Sequence, residues 1–227
     1  MHGFHRKQDP FSIPTDLLFS TIPVSELTSL TFPNNKTDCD FGGAPLRFRP
    51  VLFLNLIFPT RRLTPYDAHY FPEEKYSFTR ISEPKNYSDS SSPVDRTGLC
   101  VEIPCDPDHA AFSLKDGELT AWILKQLNTA GLRFSVIPTV MFTVYVPNAY
   151  PIYQLGYEGM LQRHLSRISA VKGIISFGRC GLFVHDNMHH AMAMAYDAAD
   201  CIDPSGTWNA EKWKRCLDGF KQFVVED

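Results

Sequence analysis

The run Phe177-Gly178-Arg179-Cys180-Gly181-Leu182-Phe183-Val184-His185-Asp186-Asn187-Met188-His189-His190-Ala191 carries the most chemical content in this sequence. It reads as a strand end, a two-glycine turn, a short irregular passage and a polar entry to a long helix. Glycine lets the backbone pass close to a bulky ligand. A helix entry presents unpaired N–H groups and a positive dipole end, suited to a phosphate or an electron-rich ring oxygen. An anion or cofactor site is one reading, and Asn187 or Asp186 as an ordinary N-cap is the plain alternative. Arg179 either steadies a phosphate or a reduced ring, or forms an ion pair at a strand end.

Metal chemistry is disfavoured. His185 and His189 have the i, i+4 spacing that places two imidazoles on one helix face, but a helix starting near Asn187 leaves His185 outside it. No third ligand stands at matching spacing, so no metal is expected. Nucleophilic triads have no G-x-S-x-G to rest on. Arg80, in Phe78-Thr79-Arg80-Ile81-Ser82-Glu83, alternates outward from a strand and reads as solvated or paired with Glu83. Tyr150 and Tyr153, in the turn-like Ala149-Tyr150-Pro151-Ile152-Tyr153, read as core filler ahead of substrate platforms.

Elements that position these residues follow from periodicity. Asp16 to Pro23 reads as a short buried strand closed by proline, and Ser25-Glu26-Leu27 as one helical turn. Residues 31–45 are loop. Pro50 leads into a strand over Val51 to Phe58, rich in β-branched and aromatic residues. Tyr66 to Phe71 and Tyr76 to Ile81 are shorter strand candidates, Glu83 to Pro93 is loop, and Thr97 to Cys105 is strand. Asp116 to Ala130 is a helix stopped by Gly131. Strand returns over Val136 to Val146, helix over Tyr157 to Val171, and strand over Gly173 to Gly178. Helices over Asn187 to Cys201 and Trp208 to Val224 complete the chain. The pattern is α+β, a mixed sheet crossed by two or three helices.

With 44% apolar and 21% charged residues among 227, the chain has the composition of a folded protein. Its 22 Lys+Arg against 25 Asp+Glu leave a net charge of −3, which disfavours nucleic acid as a partner. The longest apolar run, Val51 to Phe58, is broken by Asn55 and far short of the ~18 residues that cross a bilayer. The opening residues lack a secretory apolar core. A cytoplasmic protein with reduced, mostly buried thiols is therefore expected, and with no C-x-x-C among the six cysteines a zinc ribbon or thioredoxin-type redox site has no support. Cys100 and Cys105 fall on opposite faces if they share one strand. The sequons Asn35-Lys36-Thr37 and Asn86-Tyr87-Ser88 read as chance.

Taken in order, several runs resemble the FAD-dependent amine oxidase and protoporphyrinogen oxidase superfamily, including its UDP-galactopyranose mutase-like bacterial branch. They are Asp16 to Pro23, Leu46-Arg47-Phe48-Arg49, Phe78 to Asn86, Glu102-Ile103-Pro104-Cys105, Ala149 to Tyr153 and Gly178 to Ala191. The resemblance covers about residues 15–203. It implies a mixed, largely antiparallel substrate-domain sheet with a C-terminal FAD-contacting strand and helix. It also implies an FAD-domain section over residues 1–30, a substrate-binding sheet domain over 31–150 and the FAD-contacting segment with the terminal helix over 151–227. Such flavoproteins open with G-x-G-x-x-G for the FAD pyrophosphate, and no such motif occurs in this sequence. The N-terminal Rossmann segment is thus lacking, as in a truncated product, one half of a split protein or a piece of a longer chain.

By resemblance, FAD is the cofactor and Gly178, Arg179 and Gly181 lie along the flavin. Asn187, Met188 and His189 face its pyrophosphate or pyrimidine edge, where a preorganised dipole stabilises developing negative charge. The family often has an acidic residue where this chain has His189. Arg80, Tyr150 and Tyr153 become candidates for binding a small-molecule substrate. The implied role is the substrate-binding and FAD-contacting part of a flavin-dependent oxidoreductase, inactive without its dinucleotide-binding portion. One alternative is part of a UDP-galactopyranose mutase-like isomerase, with Arg47, Arg49 and Arg80 receiving a diphosphate. Another is a non-enzymatic domain that meets a complementing Rossmann-type domain, or a second copy of itself, through exposed apolar surface.

Overall fold

A computed structural model describes residues 12–33, 45–88, 93–106 and 108–225. Most of the expected loop over 31–45, with Cys39 and the first sequon, lies outside them, as does part of the loop from Glu83 to Pro93. The chain divides into two compact units, Met1–Pro45 with Gln154–Asp227, and Leu46–Tyr153.

In the first unit, β1 (Leu18–Ser20) and β7 (Ile174–Ser176) form a parallel pair, Leu18 opposite Ile174 and Ser20 opposite Ser176. The pair opens with Leu18 N–H donating to Gly173 O at 2.7 Å. Gly173 has φ +87°, and a Cβ there would stand 2.3 Å from the Asp16 carbonyl oxygen, so only glycine fits. The expected buried strand over Asp16 to Pro23 is shorter and less buried, with Leu18 46% and Phe19 40% exposed. Pairing with a single short partner gives it little to bury against.

The expected single turn at Ser25–Leu27 is instead α1 (Val24–Thr31). Thr28 and Thr31 lower its helix propensity, yet their hydroxyls donate to the Val24 and Leu27 carbonyls at 2.7 Å each. α1 packs on α4 (Tyr157–Ser169), whose Met160, His164 and Ile168 form a buried i, i+4, i+8 stripe. His164 Nδ1 lies 3.1 Å from Thr28 Oγ1. After β7 come α5 (Gly178–Leu182), α6 (Met188–Asp200) and α7 (Ala210–Phe220). Their core joins Ile175, Leu182, Met194, Ala198, Cys201, Trp213 and Phe220.

The second unit is an antiparallel five-stranded sheet. It comprises β2 (Arg47–Phe58), β3 (Ala68–Tyr70), β4 (Arg80–Ser82), β5 (Thr97–Pro104) and β6 (Val140–Ile152), in the order β3-β4-β5-β2-β6. Strand periodicity sends Leu52, Leu54, Leu56 and Phe58 to one face, where each is at most 2% exposed. Leu99, Val101 and Ile103 of β5 join them in the core. The short α2 (Ala110–Ser113) precedes α3 (Asp116–Thr129), which supplies Leu119, Ile123 and Leu127, all fully buried. Each such side chain contributes about 1.5–3 kcal/mol by leaving water. The opposite sheet face carries Phe53, Asn55 and Ile57, half-buried, beside Val140, Phe142 and Val144, exposed.

Proline misplaces two boundaries. β2 runs through Pro50 with a bulge between Arg49 and Val51. β6 continues past Pro147 and Pro151, so Tyr150 stands on a strand and not in a turn. A terminal strand tolerates prolines because one side of its backbone needs no ladder bonds. The candidate Tyr66 to Phe71 contains β3, but that over Tyr76 to Ile81 becomes strand only at Arg80: Phe71 and Phe78 pack edge to face at 4.8 Å, and Tyr76 stacks on Phe78 at 5.6 Å.

Candidate functional site

The cofactor candidates all lie in the first unit and are joined by one connection. Gly178 opens α5 with φ +76°, a left-handed conformation that favours glycine. The expected two-glycine turn is therefore one turn of helix. It is closed by Phe183, which is itself left-handed at φ 55°. Gly181 answers a packing demand: a Cβ there would sit 2.8 Å from Ser176 Oγ and 3.2 Å from Ser20 O. Ser176 Oγ donates to Gly181 O at 2.9 Å, fixing α5 against β7.

Arg179 makes the ion pair that was one of its two readings. Its Nε lies 2.6 Å from Asp186 Oδ1, and its Nη2 donates to Asp186 O at 2.6 Å. The Asp186 side chain is 3% exposed and that of Arg179 31%. Asp186 Oδ2 is buried without a hydrogen-bond partner among the described residues. Burial pushes the neighbouring Cys180 thiol up, with Arg179 partly offsetting it.

This clamp delivers the chain to α6. Asn187, not Asp186, is the N-cap. Its side chain accepts from the His190 N–H, and His190 Nδ1 accepts from the Asn187 N–H at 3.2 Å. That reciprocal box consumes two of the four orphan donors of the helix entry. The Met188 and His189 amides are left without an acceptor among the described residues. Both side chains are exposed, Met188 at 80%. His190 is held inward, stacked on Phe223 at 4.5 Å. His185 precedes the helix, so the i, i+4 histidine pair does not share a helix face. Two open amides at a positive dipole end can receive an electron-rich oxygen, and the orphaned carboxylate oxygen can receive a hydroxyl or amide donor.

The substrate candidates lie in the second unit. Arg80 is neither solvated nor paired with Glu83. It stands opposite Glu102 in the β4–β5 register and donates to Glu102 Oε1 from Nε at 2.8 Å and from Nη2 at 2.5 Å. Glu83 is spent elsewhere: it is 1% exposed and accepts from Leu63 N, Thr64 N and Thr97 Oγ1 at 2.9, 2.8 and 2.7 Å. The Arg80 guanidinium lies 5.9 Å from the Tyr70 ring centroid. Burial works to lower its pKa, but the hydrogen bond and charge of Glu102 outweigh it and the pKa is raised. Tyr150 of β6 stands opposite Arg49 of β2, near Arg80. Tyr153 follows β6 and is 47% exposed. Cys100, on the same sheet face as Glu102, is pushed up to about 11 by burial and by that carboxylate. Burial and Asp67 raise the Tyr87 phenol, with Arg80 opposing.

The partners Asp186, Glu102 and Tyr70 carried no readable signal. An arginine and an aspartate seven positions apart fit no repeating period, and a cross-strand pair requires the register.

No family model matches the chain, and no curated protein matches it. Among solved structures, it is similar to a reduced UDP-galactopyranose mutase at 18% identity and a TM-score of 0.65, covering 91% of this chain and 45% of that one. It is also similar to a protein from Exiguobacterium sp. 255-15 provisionally named a protoporphyrinogen oxidase. There the identity is 19% and the TM-score 0.54, over 73% of this chain and 36% of that one. The chain thus spans less than half the length of either. Among the described residues no helix is long and apolar enough to cross a membrane. The α+β fold expected from the sequence resemblance is the fold found, and it is shared with part of a reduced UDP-galactopyranose mutase.

Proposed function

We propose that this chain is the substrate-binding and FAD-contacting part of a flavin-dependent oxidoreductase of the amine oxidase/protoporphyrinogen oxidase type. On this reading, turnover requires a dinucleotide-binding portion that carries a G-x-G-x-x-G, a motif absent from these 227 residues. The single observation that carries the reading is the entry to α6, where the Met188 and His189 amides remain open while Asn187 and His190 are tied to each other.

FAD would supply a two-electron acceptor. Gly178 and Gly181 hold α5 close to β7, and Arg179, bound to Asp186, fixes the path of residues 183–187. Asn187 sets the start of α6, so its dipole and the two amides are aimed before any ligand arrives; such preorganisation costs nothing at the moment of reaction. Asp186 Oδ2 suits a hydroxyl of the cofactor's sugar-alcohol chain. Arg80, with Tyr150 and Tyr153, would orient a small-molecule substrate, and orientation is what hydride transfer chiefly demands. The isomerase alternative is less well supported, since Arg49 pairs with Asp106 at 3.0 Å and Arg80 with Glu102, which dissolves the basic cluster.

Met188 is the first residue of α6, where proline is well accepted. Met188→Pro therefore deletes one amide donor and keeps the helix. FAD fluorescence quenching is measured on the full chain, alone and with a strand–G-x-G-x-x-G–helix polypeptide added in trans. Met188→Pro is expected to weaken FAD binding by about 10- to 100-fold, the worth of a hydrogen bond to a charged group, with an unchanged melting temperature. Wild-type FAD affinity in both Met188→Pro and Arg179→Ala would sink the reading.

A further inference from the structure

Two thiols in the α6–α7 pair, outside the residues assigned above, share one core cluster. Cys201 is the C-cap of α6 and 1% exposed. Cys216, on α7, is half-buried against the same core, close enough for its thiol to help raise that of Cys201. The backbone holds the pair in place independently of the sulfurs. Asn209, the N-cap of α7, donates its N–H to Cys201 O at 2.8 Å, and Lys212 Nζ donates to Asp200 O at 2.6 Å. Adjoining thiols held on two such fastened helices need only a modest approach to reach the ~2.05 Å of a disulfide.

We propose that Cys201 and Cys216 form a reversible disulfide that fastens the C-terminal end of α6 to α7 in response to hydrogen peroxide. Burial and the adjoining thiol hold Cys201 protonated at neutral pH, with its pKa pushed up to about 11. The more accessible Cys216 is therefore the attacking sulfur. Its thiolate attacks one peroxide oxygen, the O–O bond breaks, hydroxide leaves and a sulfenic acid forms. Cys201 sulfur then attacks the sulfenyl sulfur, the S–O bond breaks, and the departing hydroxide takes the thiol proton. Two thiols and one peroxide give one disulfide and two waters, the sulfurs losing two electrons. A small dithiol reverses the reaction through a mixed disulfide at Cys216. This inference does not depend on the flavin reading.

The test exposes the full chain to hydrogen peroxide, blocks remaining thiols with N-ethylmaleimide, and digests it with trypsin without reduction. Arg179, Lys212, Arg215 and Lys221 place Cys216 in the peptide 216–221 and Cys201 in 180–212. Tandem mass spectrometry is expected to find these peptides cross-linked, lighter by two hydrogens, with fragment ions assigning the bond to Cys201 and not Cys180. Closing a loop of about 15 residues should raise the melting temperature by roughly 5–10 °C, reversed by dithiothreitol. Cys216→Ala, and independently Cys201→Ala, should abolish both the cross-link and the rise. Both thiols blocked by N-ethylmaleimide after peroxide, Cys216 carried on to sulfinic acid uncrosslinked, or a cross-link without a thermal shift would each overturn the proposal.

Discussion

Arg179 holds residue 186 twice, by its side chain through Nε and by its backbone carbonyl through Nη2, both at 2.6 Å. A single guanidinium thereby fixes both the carboxylate and the peptide that leads into α6. Arg179→Ala strands a carboxylate whose side chain is 3% exposed. Loss of about 3 kcal/mol is expected, the lower end for a broken buried pair, because Arg179 itself is partly in water. Adding Asp186→Ala should recover much of the loss. Urea unfolding of the two single variants and the double variant measures this coupling.

Three glycines should rank by what a methyl group would meet. Gly173→Ala is expected to be the worst, with backbone oxygen 2.3 Å away and φ +87°. Gly181→Ala follows, against Ser176 Oγ at 2.8 Å, and Gly178→Ala costs only its left-handed strain, since its nearest neighbour is 3.7 Å away. The last amounts to about 1–3 kcal/mol. Gly117→Ala in α3 meets nothing within 4 Å and should stabilise by up to about 1 kcal/mol. Thermal melts of the four variants test the order.

Alkaline stability should be governed in part by two thiols. Burial, then neighbouring charge, raises Cys100 and Cys201 from 9.0 to about 11 in the folded chain. Above pH 9 the unfolded chain sheds these protons first, so it binds fewer protons than the folded one and stability falls with rising pH. The loss should run from pH 9 to about 11. Denaturation midpoints of Cys100→Ala/Cys201→Ala should decline less steeply over that window than those of the wild type.

Glu102 is more deeply placed than its partner, with an 8% exposed side chain against 33% for Arg80. Arg80→Ala should therefore destabilise by about 3 kcal/mol, while Arg80→Leu/Glu102→Leu should come close to wild type. The raised Arg80 pKa keeps its contribution intact at every pH below the usual arginine value, with loss only under stronger alkali. A flat difference between wild type and Arg80→Ala from neutral pH to mild alkali checks this.

Periodicity located the long elements well. The stripe Leu119, Ile123 and Leu127 marks α3, and alternation marks β2 and β5, because those side chains report directly on one buried face. Proline was overread: Pro50, Pro147 and Pro151 suggested boundaries, yet a bulge and a terminal strand absorb them. Tyr76 and Phe78 mimicked β propensity ahead of β4 while serving ring packing. At the candidate site, Asn187 was legible as a cap from its type and place. The Arg179–Asp186 clamp and the Arg80–Glu102 pair were not, since loop path and strand register decide them.

The sheet stops at β6, and that final strand has a particular make-up. Its first half exposes Val140, Phe142 and Val144, the composition that recruits stray strands into aggregates. Pro147 and Pro151 interrupt the second half and offer no N–H on either side. A foreign chain seeking to extend the sheet would find edge residues uninterrupted by proline only as far as Val146, so any added strand is confined to the first half of β6.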